Sequence, residues 1–288
     1  MSLFDATFLR KLDNLSLITR RAMVGQLQGE RRSPRRGASV EFADFRAYAP
    51  GDDIRQIDWN LYARMERVFL KLYVAEEELT LHLLLDVSTS MDWGEPNKLD
   101  YARKVAGGLG YLTLSTLDRV GVTAFGARRQ LPPLRGKRSG MALFDFLTKL
   151  PVGGASDLPQ LCQRYARTAR IGGPLFLISD LLDPGWKDAI AALTTRPFEI
   201  TVVHTLAPQE ITPELTGDLR LLDAEGGEPI EITADFETLR QYREHLVSWR
   251  AEVEAFCSGR GIGYLFADTG VPVETFLLDH LRRRSVVG

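Results

Sequence analysis

The chain has 288 residues, of which 44% are hydrophobic and 26% charged, a composition typical of a globular protein with a sizeable core. This length suffices for one large α/β domain with an accessory segment, or for two small domains. The formal net charge of -2 argues against general attachment to nucleic acid or acidic lipid, because such attachment requires an excess of positive charge.

The two cysteines, Cys162 and Cys257, are far apart and neither belongs to a Cys-x-x-Cys pair. This spacing favours free thiols in a reducing cytosol over a disulfide framework or a zinc site. The first residues lack the basic and then apolar pattern of a signal peptide. No apolar stretch approaches the roughly 20 residues that span a bilayer. We therefore expect a cytoplasmic protein without a transmembrane segment.

The first part of the chain is predicted to be a helix followed by a loop. Leucine and isoleucine recur at helical spacing over residues 4–27, and residues 28–40 are rich in Gly, Arg, Ser and Pro. Four arginines lie in this loop, at Arg31, Arg32, Arg35 and Arg36. No aromatic residues stand among them to stack on bases, so a solvated basic loop is the preferred interpretation over a phosphate or nucleic-acid site.

Residues 41–66 alternate aromatic side chains with opposite charges around a turn at Pro50-Gly51. One interpretation makes this segment a docking surface for a partner. The other makes it a structural latch, in which ion pairs hold the segment on the main sheet and Trp59 and Tyr62 are buried. The regular interleaving of aromatic residues favours the latch.

From residue 67 the pattern alternates between strands and helices. Predicted strands occupy 68–74, 79–86, 119–125, 174–180, 198–205 and 263–267, with a short strand after Gly126 that ends at Pro132. Predicted helices occupy 98–117, 139–150 with Ser139 as its cap, 158–170, 186–195, 236–258 and a last segment reaching about residue 284. A hairpin is predicted around Glu225-Gly226-Gly227. This alternation predicts an α/β fold with a doubly wound, mostly parallel sheet.

The predicted organisation has two parts. Residues 1–75 form an N-terminal helix and an accessory segment that packs on the main domain, and residues 76–288 form that domain, with an insertion near 206–235. In a doubly wound sheet, ligands bind beyond the carboxyl ends of the strands. The candidate site is therefore expected at that edge.

Oxygen-bearing side chains follow the buried strand 79–86 immediately. Asp86, Ser88 and Ser90 alternate in the sequence Asp-Val-Ser-Thr-Ser, so a turn can direct all three at one point. Hard cations such as Mg²⁺ prefer compact shells of oxygen ligands and retain some waters. We expect Ser88 and Ser90 to coordinate directly and Asp86 to supply charge through water.

Two later segments offer further oxygen ligands. The loop Gly153-Gly154-Ala155-Ser156 carries the hydroxyl of Ser156, and the strand 174–180 ends in Asp180. If that strand lies beside the first, two carboxylates and three hydroxyls meet at one edge. The predicted ion is Mg²⁺, with Mn²⁺ or Ca²⁺ as alternatives. Such a shell leaves a coordination position for an acidic side chain of a partner.

A simpler interpretation applies to Asp-x-Ser-x-Ser alone, because Ser and Asp after a strand often only cap the next helix. The additional presence of Ser156 and Asp180 favours the metal site. Among the histidines, His82 is expected in the core. His204 is expected at the carboxyl edge as a hydrogen-bonded residue rather than a base for Ser88.

The arrangement of Asp86, Ser88, Ser90, a later hydroxyl and a later Asp resembles the metal-ion-dependent adhesion site of von Willebrand factor A domains, over roughly residues 76–288. The usual Thr of the third metal loop is replaced by Ser156, for which we expect weaker positioning of the hydroxyl. The upstream segment resembles the signature of domain-of-unknown-function family 58, carried by Glu41, Phe42, Asp44, Arg46, Tyr48, Pro50, Gly51, Asp52, Asp53, Arg55, Ile57, Asp58, Trp59, Ala63 and Arg64.

That resemblance implies a von Willebrand A-like fold, no assigned catalysis and a MoxR-type AAA ATPase as partner. The leading hypothesis is therefore a non-enzymatic, metal-dependent protein-binding module. A magnesium-dependent phosphatase with Asp86 as nucleophile is the alternative, although Ser88 stands where such enzymes carry a second Asp. A structural protein with an empty site is the third hypothesis.

Overall fold

The computed structural model describes residues 4, 7–12, 40–49, 52, 54–65, 67–75, 80–116, 118–154, 157–222, 226 and 229–278. The chain divides into two compact units, one formed by Met23–Glu78 and the other by Met1–Ala22 together with Leu79–Gly288. The predicted division grouped residues 1–75, whereas the structure assigns the first 22 residues to the larger unit.

The smaller unit contains an antiparallel pair of strands, β1 (Val40–Ala47) and β2 (Phe69–Ala75), with a short helix α1 (Trp59–Met65) between them. Asp58 precedes this helix, and its Oδ1 accepts hydrogen bonds from the backbone N–H groups of Asn60 and Leu61 at 2.9 and 3.1 Å. Asp52 accepts hydrogen bonds from Arg46 and from the N–H of Ala49. These acidic residues therefore stabilise local turns, and the Arg46 guanidinium lowers the pKa of Asp52.

The expected burial of two aromatic residues in this unit is wrong. Trp59 is 63% exposed and Tyr62 is 43% exposed, with their rings in edge-to-face contact. Strand β1 was also not predicted from the sequence. The predicted turn at Pro50-Gly51 lies outside the described residues.

The larger unit is built on a sheet of six strands, β3 Thr80–Asp86, β4 Arg119–Phe125, β5 Arg129–Arg135, β6 Gly173–Ser179, β7 Phe198–Leu206 and β10 Gly263–Asp268. Their order in the sheet is β10-β7-β6-β3-β4-β5. Five strands are parallel and β5 pairs antiparallel with β4 at one end. The predicted mixed α/β fold with a mostly parallel sheet is confirmed.

Helices cover both faces of this sheet, because the side chains of each parallel strand alternate between two apolar surfaces. The helices are α2 Lys98–Ser115, α3 Gly140–Thr148, α4 Leu158–Thr168, α5 Trp186–Leu193, the single turn α6 Pro208–Ile211 and α7 Phe236–Ser258. Leu83 and Leu85 pack with α2 and α3, and Leu84 packs on the other face with α4, α5 and α7.

The first residues of the chain contribute to one of these two cores. Residues 7–12 are helical, and Phe4, Phe8 and Leu12 are buried in the cluster that contains Leu83. The remainder of the helix predicted over 4–27, and most of the loop predicted over 28–40, lie outside the described residues. No helix in the described part of the chain is long and apolar enough to cross a membrane.

Two local predictions need correction. Strand β5 does not end at Pro132 but continues through Pro133 to Arg135, which is possible because an edge strand needs hydrogen bonds on one side only. Ser139 precedes α3 without capping it, since its hydroxyl donates a hydrogen bond to the carbonyl of Arg135 instead.

The predicted hairpin near residues 206–235 is present as two short antiparallel strands, β8 (Gly217–Leu221) and β9 (Ile230–Ala234). Asp235 then caps α7 by accepting a hydrogen bond from the N–H of Thr238 at 2.7 Å. The last predicted helix is described only over residues 273–278.

Candidate metal site

The candidate site lies where the neighbouring strands β3 and β6 end. Leu85 pairs with Ile178, so the next residues, Asp86 and Ser179, reach the carboxyl edge side by side. Asp180 follows directly. The sequence prediction that Asp86 and Asp180 share one edge depended on this pairing, and the pairing is confirmed.

We call Asp86, Ser88, Ser90 and Ser179 the hydroxyl corner. Asp86 is 3% exposed. Its Oδ1 accepts a hydrogen bond from the N–H of Ser88 at 3.0 Å, and its Oδ2 accepts one from the hydroxyl of Ser179 at 2.7 Å. Burial, and then the charge of Asp180, raises the pKa of Asp86 despite these hydrogen bonds. The corner thus holds a carboxylate that burial penalises and that a cation would stabilise.

The two predicted hydroxyl ligands lie together. Ser88 Oγ and Ser90 Oγ are 3.0 Å apart and share a hydrogen bond. Two adjacent oxygen ligands of an octahedral magnesium ion, each roughly 2.1 Å from the metal, are separated by about 3 Å. The spacing of these hydroxyls therefore fits neighbouring positions of such a shell, with Asp86 beside them.

The loop that carries Ser156 is anchored against the hydroxyl corner by its first residues. Gly153 donates a hydrogen bond to the carbonyl of Val87, and its own carbonyl accepts one from the Thr89 hydroxyl at 3.1 Å. A side chain at Gly153 would overlap the backbone of Gly126, coming within 2.7 Å of its Cα. Ser156 itself lies outside the described residues, so its predicted role as a ligand stays a prediction.

Asp180 lies in a different environment, which we call the lysine corner and which comprises Asp180, Lys98 and Glu210. Lys98 is fully buried. Its ammonium donates hydrogen bonds to Asp180 Oδ2 at 2.8 Å and to Glu210 Oε1 at 2.6 Å. Asp180 Oδ1 accepts from the N–H of Leu182 at 3.3 Å. Both oxygens of Asp180 therefore have donors from the protein.

Electrostatics in the lysine corner are dominated by the ion pairs. Burial lowers the pKa of Lys98, but the charges of Asp180 and Glu210 outweigh it, and the net pKa lies above the usual value. Burial raises the pKa of Glu210 against the opposing effect of Lys98. The other oxygen of Glu210 accepts a hydrogen bond from the N–H of Ala207, which fixes the carboxylate at the start of α6.

Sequence reasoning missed Lys98, Glu210 and Ser179. One signal was available for Lys98, because a lysine at the first position of a helix faces the positive end of the helix dipole and is unfavourable there without acidic partners. Glu210 had a weaker signal, as the third residue of a helix that begins with Pro208.

The buried histidines behave as expected. His82 Nδ1 lies 2.6 Å from the hydroxyl of Tyr165, and His204 Nδ1 lies 2.9 Å from that of Tyr264. Burial, and then the charge of Arg250, lowers the pKa of His204 to about 3. Its full burial and its hydrogen bond to Tyr264 are those of a core residue, and a pKa this low makes it too weak a base for Ser88. The two cysteines are free and buried, also as expected.

No cluster of three or more His, Cys, Asp or Glu side chains in the described residues is arranged to hold a metal ion. This excludes, for that part of the chain, a site built from carboxylates and imidazoles alone. The hydroxyl corner is a different type of site, because one carboxylate and two serine hydroxyls contribute most of its oxygens. A hard cation is the only kind that such donors favour.

Exposed apolar side chains surround this edge. Trp93 follows Ser90 by three residues, Val152 precedes Gly153, and Leu182 follows Asp180 by two; all three are at least 40% exposed. Arg128 lies in the turn between β4 and β5, Arg129 is the first residue of β5, and both are exposed. The surface around the site therefore combines apolar and positively charged side chains.

Comparison with known proteins identifies a family. The family model described as "Protein of unknown function DUF58" matches residues 44–252. Uncharacterized proteins of Mycobacterium tuberculosis and Mycobacterium bovis are 28% identical over 265 residues, which covers 89% of this chain and 83% of theirs.

Two solved structures are similar to part of the chain. The protein BatB from Bacteroides thetaiotaomicron is 16% identical with a TM-score of 0.44, covering 73% of this chain and 100% of that one. The VWA domain of SpRpn10 is 12% identical with a TM-score of 0.39, covering 71% of this chain and 95% of its own.

Proposed function

Because the chain belongs to the DUF58 family, a von Willebrand A-like family of unknown function, we propose that it is a non-enzymatic protein-binding module whose contact with its partner depends on a divalent metal. The observation that carries the proposal is the hydroxyl corner. There, Ser88 Oγ and Ser90 Oγ lie 3.0 Å apart beside the buried carboxylate of Asp86.

The proposed metal is Mg²⁺, with Mn²⁺ or Ca²⁺ as alternatives. Ser88 and Ser90 would hold it directly, Asp86 would supply the charge, and Ser156 would contribute from the third loop. A bound ion of this kind supplies a Lewis-acidic position that accepts an anionic oxygen. One carboxylate does not neutralise a divalent ion, so a carboxylate from a partner protein is the chemically matched occupant of the remaining position.

The surroundings of the site support recognition of a protein. Trp93, Val152 and Leu182 offer exposed apolar surface from three loops, and tryptophan is among the residues that contribute most to interfaces. Arg128 and Arg129 add positive charge at the same edge. An acidic side chain flanked by apolar residues complements this surface. A MoxR-type AAA ATPase is the proposed partner, on the basis of the family resemblance.

Metal binding is tested first, without the partner. Addition of Mg²⁺ or Mn²⁺ should raise the thermal stability of the wild-type protein, because a ligand that binds only the folded state stabilises it. Asp86→Asn, Ser88→Ala and Ser90→Ala should lose this response. Ser258→Ala, a serine whose hydroxyl bonds within α7, should retain it. An unchanged response in the three site variants would reject the hydroxyl corner as the metal site.

Partner binding is tested second, with a purified MoxR-type ATPase and isothermal titration calorimetry. Binding should require metal and should disappear with chelator or with Asp86→Asn. Equal binding with and without chelator would reject the metal-bridged contact. If metal binds normally but no ATPase binding occurs, the proposed partner is wrong and the metal site is retained.

The alternative of a magnesium-dependent phosphatase requires Asp86 to attack a substrate. Both of its oxygens accept hydrogen bonds and the residue is nearly fully buried, which disfavours nucleophilic attack. Turnover of phosphoesters by the wild-type protein, and its loss in Asp86→Asn, would favour the enzyme instead. A purely structural protein with an empty site predicts no thermal response to any of the three metals.

A further inference from the structure

The lysine corner already contains a cation. The ammonium of Lys98 lies between two carboxylates, 2.8 Å from Asp180 and 2.6 Å from Glu210, and the lysine side chain is fully buried. A positive charge is costly to bury unless carboxylates compensate it. The two carboxylates therefore compensate the buried ammonium without any ion from solution, and the three residues together keep an excess of negative charge.

Asp180 links the two corners. It directly follows Ser179, whose hydroxyl donates to Asp86, and its charge contributes to the raised pKa of Asp86. The two carboxylates are thus close enough to influence one another. A divalent ion at the hydroxyl corner would attract Asp180, but the ammonium of Lys98 holds that carboxylate in place and repels the ion.

We propose that Lys98 is a resident cation that sets the metal affinity of the hydroxyl corner, by pairing with Asp180, whose carboxylate would otherwise help to bind the divalent ion. This inference rests on the proposed metal site for its biological meaning. Its physical content is independent, because it concerns what happens to two buried carboxylates when their own cation is removed.

The consequence is a low metal affinity in the wild-type protein. With Lys98 in place, one negative charge at the hydroxyl corner faces the metal without help from Asp180. A weak site of this type releases its ion readily. The carboxylate of a partner would add the missing negative charge, so the protein should bind the metal more strongly when the partner is present. Lys98 is in this sense a positioning residue, because it acts on the metal through Asp180.

The test neutralises Lys98 while keeping a hydrogen-bonding side chain. Lys98→Gln should bind Mn²⁺ at least tenfold more tightly than the wild-type protein, measured by isothermal titration calorimetry. It should also show a larger rise in Tm with Mn²⁺, because the ion replaces the missing ammonium. Lys104→Gln removes an exposed lysine from the same helix and should bind Mn²⁺ as the wild-type protein does.

A second variant keeps the result interpretable if Lys98→Gln does not fold without metal. In the double variant Lys98→Gln with Asp180→Asn, one carboxylate is removed together with the cation. This protein should be more stable without metal than Lys98→Gln, and it should lose the gain in Mn²⁺ affinity. Folding of Lys98→Gln only when Mn²⁺ is added would support the inference, because the ion then supplies the positive charge that the ammonium supplies in the wild-type protein.

Two results would overturn the inference: Mn²⁺ affinity in Lys98→Gln that is equal to or weaker than that of the wild-type protein, and failure of Lys98→Gln to fold even in millimolar Mn²⁺. Failure of the proposed function is distinguishable. A wild-type protein that does not respond to metal, with a Lys98→Gln variant that does, would reject the metal-dependent module and support the resident cation.

Discussion

The hydroxyl corner and the lysine corner both begin with an aspartate at the end of a buried strand, but the two carboxylates are compensated differently. Asp86 accepts hydrogen bonds from an amide and a serine, and no cationic side chain in the described part of the chain pairs with it. Asp180 is paired with the ammonium of Lys98. The difference teaches that the position of an acidic residue at the carboxyl edge of a sheet does not by itself determine whether it is available to a metal.

This contrast assigns separate tasks to the two corners. An external ion can stabilise a carboxylate that has no cationic partner and lies beside two hydroxyls. A carboxylate that is already paired stabilises the fold and gains less from that ion. Variants at the two positions should therefore differ in their effects on stability and on metal binding, and the following predictions sharpen or break this contrast.

The largest effect is expected for Asp180→Asn. It removes one of the two carboxylates that compensate buried Lys98, and we expect a loss of about 3 kcal/mol in the free energy of unfolding. Urea denaturation at pH 7.5 with chelator measures it. Asp145→Asn removes the exposed partner of Lys149 and should cost less than about 0.5 kcal/mol. Equal losses in the two variants would show that the lysine corner contributes no more than a surface ion pair.

Gly153→Ala should follow, at about 2–3 kcal/mol. Its side chain would overlap the backbone of Gly126 and push the third loop away from the hydroxyl corner. The rise in thermal stability on addition of Mg²⁺ should also be smaller in this variant. Gly154→Ala is the matched control, because a side chain there meets no atom within 4 Å. If both variants behave alike, close packing of this loop is not needed for the site.

A pH effect of about 2 kcal/mol between pH 7.5 and 5 is expected from His204. Its pKa is lowered to about 3 in the folded state, while an unfolded histidine titrates near 6.5. The unfolded state therefore binds the proton first as the pH falls below about 6.5, and stability is lost progressively until about pH 3.

His204→Gln should flatten this part of the stability curve, measured by urea denaturation at several pH values. The positive charges of Arg250 and Lys98 contribute to the lowered pKa after burial. Parallel curves for the variant and the wild-type protein would show that folding does not lower the pKa of His204.

The smallest effect on stability is expected for Asp86→Asn. Burial and the charge of Asp180 already disfavour the ionised carboxylate. Asparagine removes the buried charge but keeps only one of the two hydrogen-bond acceptors, and these opposing effects should leave the free energy of unfolding within about 1 kcal/mol of that of the wild-type protein in chelator. The metal response, in contrast, should disappear. A loss comparable to that of Asp180→Asn would mean that the two corners do not differ as described.

Much of the larger unit could be predicted from the sequence because its strands are short, continuous apolar runs bounded by turns. Asp86, Ser88 and Ser90 were identified for the same reason, since they follow such a run directly. The pairing of β3 with β6 then brought Asp180 to the same edge. The apolar pattern of the sequence therefore predicts both the strands and the residues at their carboxyl ends.

The remaining features depend on contacts between distant residues. Lys98 and Glu210 are separated by 112 positions, and only the fold shows that they compensate each other. The alternation of aromatic and charged residues around Trp59 was interpreted as burial, whereas that side chain is largely exposed. A regular alternation of aromatic and charged residues does not show which of the aromatic side chains the folded chain covers.

The two prolines of β5 have a consequence for how the protein can associate. Pro132 and Pro133 lack backbone N–H groups on a strand at the end of the main sheet. A strand from another chain cannot form a regular ladder there, so open-ended stacking of sheets into fibres is opposed at this end. Association at this end must therefore rely on side chains rather than on backbone pairing.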